Sequence, residues 1–384
     1  MAYDDRPAGL YARLMLGVMS GFVHRLLSDR LLLVLLGGLL PLLLVTDLPV
    51  MQTAHLVQWP TLAALGGLMV LSRGLEDSGY LTRAGAMLLA RWSGERSLAV
   101  ALVVFAAILA AVVTNDVALF IVVPLTVGLR GVARVPVGRL IVFEALAVNA
   151  GSAISPVGNP QNLLLWQSTG VGFDAFITAM APLALGLIIV LLALVPVAFP
   201  RQRLTIAGGT SAPPMDRHLL VVSLVCYPIF LLLTEFGLTL PATGLLALVF
   251  AVRFPAVLGR IDWSLLIVFV LMFVDLGLVA RLPLIQHYTV GLATLPGGML
   301  GASVILSQLI SNLPATIFLL DFTDQWPTLA WGVSVGGFGL AIGSLANLIA
   351  LRLAREPGLW RDFHRWSLLM LALGCGLAVV LRAL

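Results

Sequence analysis

Two short clusters carry side chains that could bind an ion: Thr114-Asn115-Asp116 and Ser311-Asn312, each interrupting a long apolar stretch. Amides and hydroxyls at such points offer neutral donors and acceptors. A carboxylate inside a membrane is costly and by default marks a site for a proton or a cation. Further along the chain each cluster is followed by a second one, Val157-Gly158-Asn159-Pro160-Gln161-Asn162 and Ile342-Gly343-Ser344-Leu345-Ala346-Asn347. Gly158 and Pro160 would interrupt one helix, and Gly343 another. A helix broken inside a bilayer leaves N–H and C=O groups unpaired, each costing several kcal/mol. Such a break survives where its backbone faces protein, water or an ion. Freed carbonyls suit a cation, and freed N–H groups at half-helix N-termini suit an anion.

Ser155, Ser311 and Ser344 add hydroxyls to this set, and Asn162 adds an amide. Asn115, Asn159, Asn312 and Asn347 are the amides that could ligate sodium. Gly, Ser and Asn also mediate close packing of helices in membranes, so any one of these residues reads either way. Two paired clusters in one order favour the ion site. Asp116 is the first candidate for coupling. Asp275, deep in an apolar run, is the second. Glu144 lies five residues beyond Arg139 and reads equally as a structural ion pair near the surface or as a coupling group. Asp321 and Asp324 are expected at the outer mouth.

The elements that must hold these residues follow from composition. Sixty per cent of the chain is hydrophobic and only 10% is charged, against roughly a quarter charged in soluble domains. Uncharged runs of the length needed to span a bilayer, about 20 residues, tile much of the sequence, so the chain is an all-α polytopic membrane protein. Spans are expected near 31–47, 56–72, 139–169, 173–199, 218–236, 240–257, 262–280, 327–351 and 366–384. The third and eighth are broken. Segments 97–130 and 290–320 read as hairpins that return to the face they entered from. Both ends of the first are arginine-rich, with Thr114-Asn115-Asp116 at its buried tip.

All 22 basic residues are arginine. This layout puts all but Arg281 and Arg382 in cytoplasmic segments, an asymmetry that orients the chain. The N-terminus is then cytoplasmic and the C-terminus outside, as in a bacterial inner membrane protein. Residues 1–30 read as an interfacial segment lying on the membrane, with no cleaved leader. Residues 201–217 form a cytoplasmic linker that divides a first repeat, 31–200, from a second, 218–384. Three blocks recur in the same order in both halves. Leu68 to Gly74 aligns with Leu271 to Gly277, Thr114 to Ala118 with Ser311 to Ala315, and Val157 to Leu164 with Ile342 to Ile349. An odd number of spans between the copies turns the second repeat over.

These blocks resemble the ion transporter superfamily, which includes arsenite permeases, NhaD-type sodium/proton antiporters, and divalent anion and citrate symporters. Thr114-Asn115-Asp116 followed by Pro124, and Ser311-Asn312-Leu313-Pro314, are most similar to the arsenite-permease-like branch. Divalent anion symporters carry Ser-Asn-Thr at both tips, and this chain departs from that at both. The resemblance, over about residues 58–352, implies about eleven spans where nine are counted here. It further implies a homodimer, a site between the hairpin tips and broken helices, and an elevator-like motion.

The reading is therefore a secondary active transporter of a small anion, a carboxylate or inorganic oxyanion, coupled to protons or sodium. A cation/proton antiporter on the same scaffold stays open. A channel or pump subunit is disfavoured by the paired hairpins. The five histidines form no metal-spaced cluster, and no lysine-bearing phosphate loop exists to support ATP-driven transport. No catalytic constellation points to an enzyme, no cofactor is called for, and no soluble module presents a basic face to nucleic acid. The expected partners are the ion and the lipid bilayer.

Overall fold

The computed structural model describes residues 30–46, 48–80, 94–129, 135–203, 214–285, 297–354 and 358–383, together with 83, 87, 92 and 356. The interfacial segment expected over 1–30 (Arg30 excepted), linker residues 204–213 and the start of the second hairpin, 290–296, lie outside the described residues. The described residues form helices and connecting turns. Contacts divide them into two units, residues 1–57 with 262–285 and residues 58–261 with 286–384.

In the first unit α1 (Arg30–Thr46) packs on α11 (Trp263–Ala280). Asp262 caps α11, its carboxylate accepting from Leu265 N–H. The second unit holds α2 (Trp59–Asp77), α3 (Glu95–Val112), α4 (Asn115–Gly128), α5 (Val137–Ser152), α6 (Pro160–Thr169) and α7 (Phe173–Ala198). It continues with α8 (Arg217–Glu235), α9 (Thr239–Arg253) and the short α10 (Pro255–Gly259). Last come α12 (Gly298–Ile310), α13 (Asn312–Leu320), α14 (Trp326–Gly336), α15 (Leu345–Ala354) and α16 (Leu359–Ala383). Five of the described helices, α3, α7, α8, α11 and α16, are long and apolar enough to cross a membrane. Large apolar side chains such as Ile189, Val197, Leu245 and Val379 are exposed on the outside, as a lipid-facing surface requires.

The segments expected as spans fall on α1, α2, α5–α6, α7, α8, α9, α11, α14–α15 and α16, and those expected as hairpins on α3–α4 and, over its described residues, α12–α13. Two boundaries differ. Helix α2 continues past Ser72 to Asp77 because its charges pair along the helix. Arg73 meets Glu76 at 3.4 Å and Asp77 at 3.0 Å, and Arg260 meets Asp77 at 3.2 Å. Helix α16 begins at Leu359 rather than 366, because Asp362 in its first turn is held by Arg139 at 3.3 Å.

Hydrogen bonds fix how the hairpins lie. Glu95 N–H donates to Gln202 O at 2.9 Å. Arg96 donates to Phe199 O and Pro196 O, and Arg139 to Ala198 O. The starts of α3, α5 and α16 and the end of α7 therefore share one face. The turn of the first hairpin, Val113–Thr114, lies instead at the interruption between α5 and α6, where Asn115 N–H donates to Gly158 O at 2.9 Å. The base of the second hairpin, Gly298 with Leu320 and Asp321, borders a cleft with Val379 and Arg382 at the far end of α16. That helix has 25 residues, about 37 Å at 1.5 Å per residue. The first hairpin therefore opens toward the start of α16 and the second toward its far end.

Each hairpin lies tightly along its broken helix, and glycine permits it. A Cβ on Gly151 would stand 2.2 Å from Ala107 O, and one on Gly336 would stand 2.5 Å from Ser307 Cβ. The halves then interlock: α4 packs on α15, and α13 packs on α6.

Candidate functional site

The site grows from the two interruptions. Pro160 opens α6, where its missing N–H costs nothing. Asn159 caps the helix, its Oδ1 accepting from Asn162 N–H at 2.9 Å. The Asn159 amide nitrogen turns back to Ser152 O at 3.0 Å and Ser152 Oγ at 3.2 Å. Asn162 donates to the carbonyls of Ala153 and Ser155, at 3.0 and 3.1 Å, closing the loop over the end of α5. Ser155 Oγ donates to Ala111 O at 2.7 Å, tying the loop to the first hairpin.

In the second half Asn347 donates to Gly337 O at 2.9 Å, beside Asn312 at the hairpin tip. Gln308 on α12 reaches Gly336 O and Phe338 O with its amide nitrogen and accepts from Leu340 N–H. Gly343 sits against Gly336 O, where a Cβ would stand 2.7 Å away.

Asn149, which the sequence reading did not single out, joins the halves. Its amide nitrogen donates to Asn347 Oδ1 at 2.7 Å, and its Oδ1 accepts from Ser344 Oγ at 3.1 Å. Ser152 Oγ donates to Asn149 O at 3.2 Å. A continuous polar chain therefore runs from Asn159 through Ser152 and Asn149 to Ser344 and Asn347 and on to Gly337, with Asn312 beside it. All its side chains are buried. A signal for Asn149 existed: a full amide ending the apolar run 145–148, three residues before Ser152.

The N-termini of α4, α6, α13 and α15 all begin at this chain, and the C-termini of α3, α5, α12 and α14 end at it. Helix N-termini favour negative charge and C-termini positive charge. Thr114 Oγ1 and Asn162 Oδ1 are both buried and without a hydrogen-bond partner. Leaving such a group unmade costs about 1–3 kcal/mol.

Ser311 carries strain. Its φ of 77° and ψ of 154° lie in a region almost reserved for glycine, at a cost of order 1–3 kcal/mol. Ser311→Gly is expected to raise thermal stability by about 1 kcal/mol while weakening ion binding, read by melting and liposome uptake on the same preparation. Faster uptake would remove the hydroxyl from the site.

The acidic candidates separate. Asp116 is half-buried in the first turn of α4, its N–H donating to Asn115 Oδ1 at 2.9 Å. Its carboxylate stands within electrostatic reach of Glu76 on α2. Asp275 belongs to the first unit, buried on α11, with one oxygen lacking a hydrogen-bond partner. Glu144 is not near the surface. It is fully buried, accepts a hydrogen bond from Thr126 and leaves Oε2 without a hydrogen-bond partner, while Arg139 pairs with Asp362. Five residues of helix carry it well inside the packed wall of α4 and α5. Asp321 and Asp324 line the cleft at the base of the second hairpin. Among the described residues no group of three His, Cys, Asp or Glu side chains is placed to hold a metal.

Two hairpins meeting two interrupted helices, inside an apolar helical body, are the frame of a polytopic membrane protein. The family profile described as citrate transporter matches residues 17–336, and the chain belongs to that family. It is 45% identical to the inner membrane protein YbiR of Escherichia coli, over 82% of this chain and 85% of that one. It is 32% identical to the uncharacterized transporter MJ0456 of Methanocaldococcus jannaschii, over 82% and 86%. The solved structure of the Alcanivorax borkumensis YdaH transporter shares the fold with a TM-score of 0.50 at 17% identity, over 92% of this chain and 89% of that one.

Proposed function

We propose that the chain is a secondary active transporter of a small anion, an organic carboxylate or inorganic oxyanion, coupled to protons or sodium. The observation that carries this reading is the buried amide chain on which four helix N-termini meet. The citrate transporter family description favours a carboxylate as the anion. In this reading the hairpins are re-entrant and, with the broken helices, form the part that slides between the two faces. The arginine-rich face is cytoplasmic. Carbonyls at the ends of α3, α5, α12 and α14 would take the coupling cation, and Asp116 would carry or sense it.

A second reading, a cation/proton antiporter, is favoured by one observation. Asp116 and Glu76 are carboxylates within reach of each other beside the first tip, and no arginine hydrogen-bonds to the amide chain among the described residues. Uptake into proteoliposomes, with citrate, succinate, sulfate or phosphate outside and an imposed sodium or proton gradient, tests both. The proposal expects one anion to accumulate only with a gradient. Gradient-driven cation exchange needing no anion would replace it with the antiporter. Asp116→Asn is expected to remove the gradient dependence while leaving the protein folded; unchanged flux and ion dependence would take Asp116 out of the mechanism.

A further inference from the structure

We propose that the outer face of α3 binds an anionic phospholipid from the leaflet on the arginine-rich face. A groove of about 780 Å³ runs along this helix. Its floor is Val100, Val104, Phe105 and Ile108, with Val100 and Ile108 exposed at 39% and 61% although they stand on a helix long and apolar enough to span. From Arg96 to Ile108 is about 18 Å of helix, close to one leaflet of a hydrocarbon core about 30 Å thick. The groove therefore has the length and chemistry of a single acyl chain.

The head of the groove has the opposite character. Arg96, Arg201 and Arg203 border it, with Trp92 beside them. Backbone pairing holds the arginines in place: Glu95 N–H donates to Gln202 O at 2.9 Å, and Gly94 bridges to Arg203. Arg96 is further fixed by its bonds to the carbonyls that end α7, at Pro196 and Phe199. Arg201 and Arg203 form no ion pair among the described residues, so two guanidinium groups remain at the mouth of an apolar channel. Guanidinium binds phosphate through two parallel hydrogen bonds, and basic pockets at this depth take acidic headgroups. An indole at the same level is an interfacial anchor. A neutral lipid would satisfy the groove but leave the arginines without a partner; a soluble anion would satisfy the arginines but leave the groove open. One phospholipid with a net negative headgroup fits both.

The test uses the full chain reconstituted in vesicles of phosphatidylcholine with phosphatidylglycerol, extracted in mild detergent, with retained lipid measured by native mass spectrometry. Wild type is expected to retain phosphatidylglycerol in preference to phosphatidylcholine. Arg201→Gln with Arg203→Gln is expected to lower that retention roughly thirty-fold, about five-fold for each arginine. Val104→Trp, which fills the groove and leaves the arginines in place, is expected to lower retention of both lipids. Equal retention of the two lipids by wild type would overturn the headgroup assignment. Loss with the arginine variant but not with Val104→Trp would reduce the site to surface charge and overturn the groove. A covalent dimer formed by Ile108→Cys on oxidation, with lipid retention unchanged, would assign this face to a second copy of the chain and overturn the proposal.

Discussion

Gly158→Ala is expected to abolish transport and to lower stability by about 1–3 kcal/mol, the usual cost of forcing extra atoms into a packed interior. A Cβ there would stand 2.3 Å from Ser152 O, 2.7 Å from Ser152 Cα and 2.9 Å from Ala110 O. These are backbone atoms of two different helices, so no side chain can rotate away. The loop between α5 and α6 must open. Its movement carries off the Gly158 carbonyl that receives Asn115 N–H, and with it the registration of the first tip against the first interruption. Gly128→Ala is the control, since a Cβ there meets nothing within 4 Å. It should be neutral or slightly stabilising, as alanine is favoured over glycine in a helix. Proteoliposome uptake and thermal melting of both variants separate a site effect from a general intolerance of added volume.

Asn149→Leu is expected to cost about 2–5 kcal/mol and to remove ion binding. The change takes one amide from a buried chain and leaves Ser344 Oγ and Asn347 Oδ1 without their present partners, at about 1–3 kcal/mol for each group stranded. Both residues are almost wholly buried, so water cannot readily replace the lost bonds. The sharper consequence is geometric. Asn149 is on α5 of the first half, and Ser344 and Asn347 belong to the second. Without the Asn149 amide the direct side-chain link from α5 to the second interruption is lost. Asn149→Ser, which keeps a polar group but shortens its reach, should fall between wild type and leucine. If leucine binds ions as well as asparagine does, the two interruptions work independently.

The architecture was legible because a bilayer leaves few choices. Uncharged runs announced the spans, and the ordered triple of repeated blocks pointed to inversion. Arginine at both ends of 97–130 pointed to a hairpin. Errors fell where charge is satisfied inside the fold. The ladder from Arg73 to Asp77 and the Arg139–Asp362 pair let α2 and α16 run further than their apolar runs suggested. The sequence leaves Glu144 open between a surface ion pair and a buried group, because its arginine neighbour in sequence is not its neighbour in space. The site residues could be named from Asn, Ser and Gly at helix breaks, but Asn149 could not be read as the link. Its role depends on a partner 198 positions away, and only the interlocking of α4 with α15 and α6 with α13 brings the halves together.

Both hairpin tips are proposed to contribute to one binding site, and the direct measurement of this is ligand-dependent thermal stabilisation of purified wild type, Asn115→Ala and Asn312→Ala. Millimolar dicarboxylates, citrate, sulfate, phosphate and arsenite would be compared with and without sodium, at two pH values. A ligand of micromolar affinity stabilises by about 4 kcal/mol under those conditions. The predicted result is that one anion stabilises wild type and that each tip variant, altered in a different half of the chain, loses most of that stabilisation. Full stabilisation retained in both variants would contradict the two-tip site, and stabilisation lost in only one would confine binding to a single half.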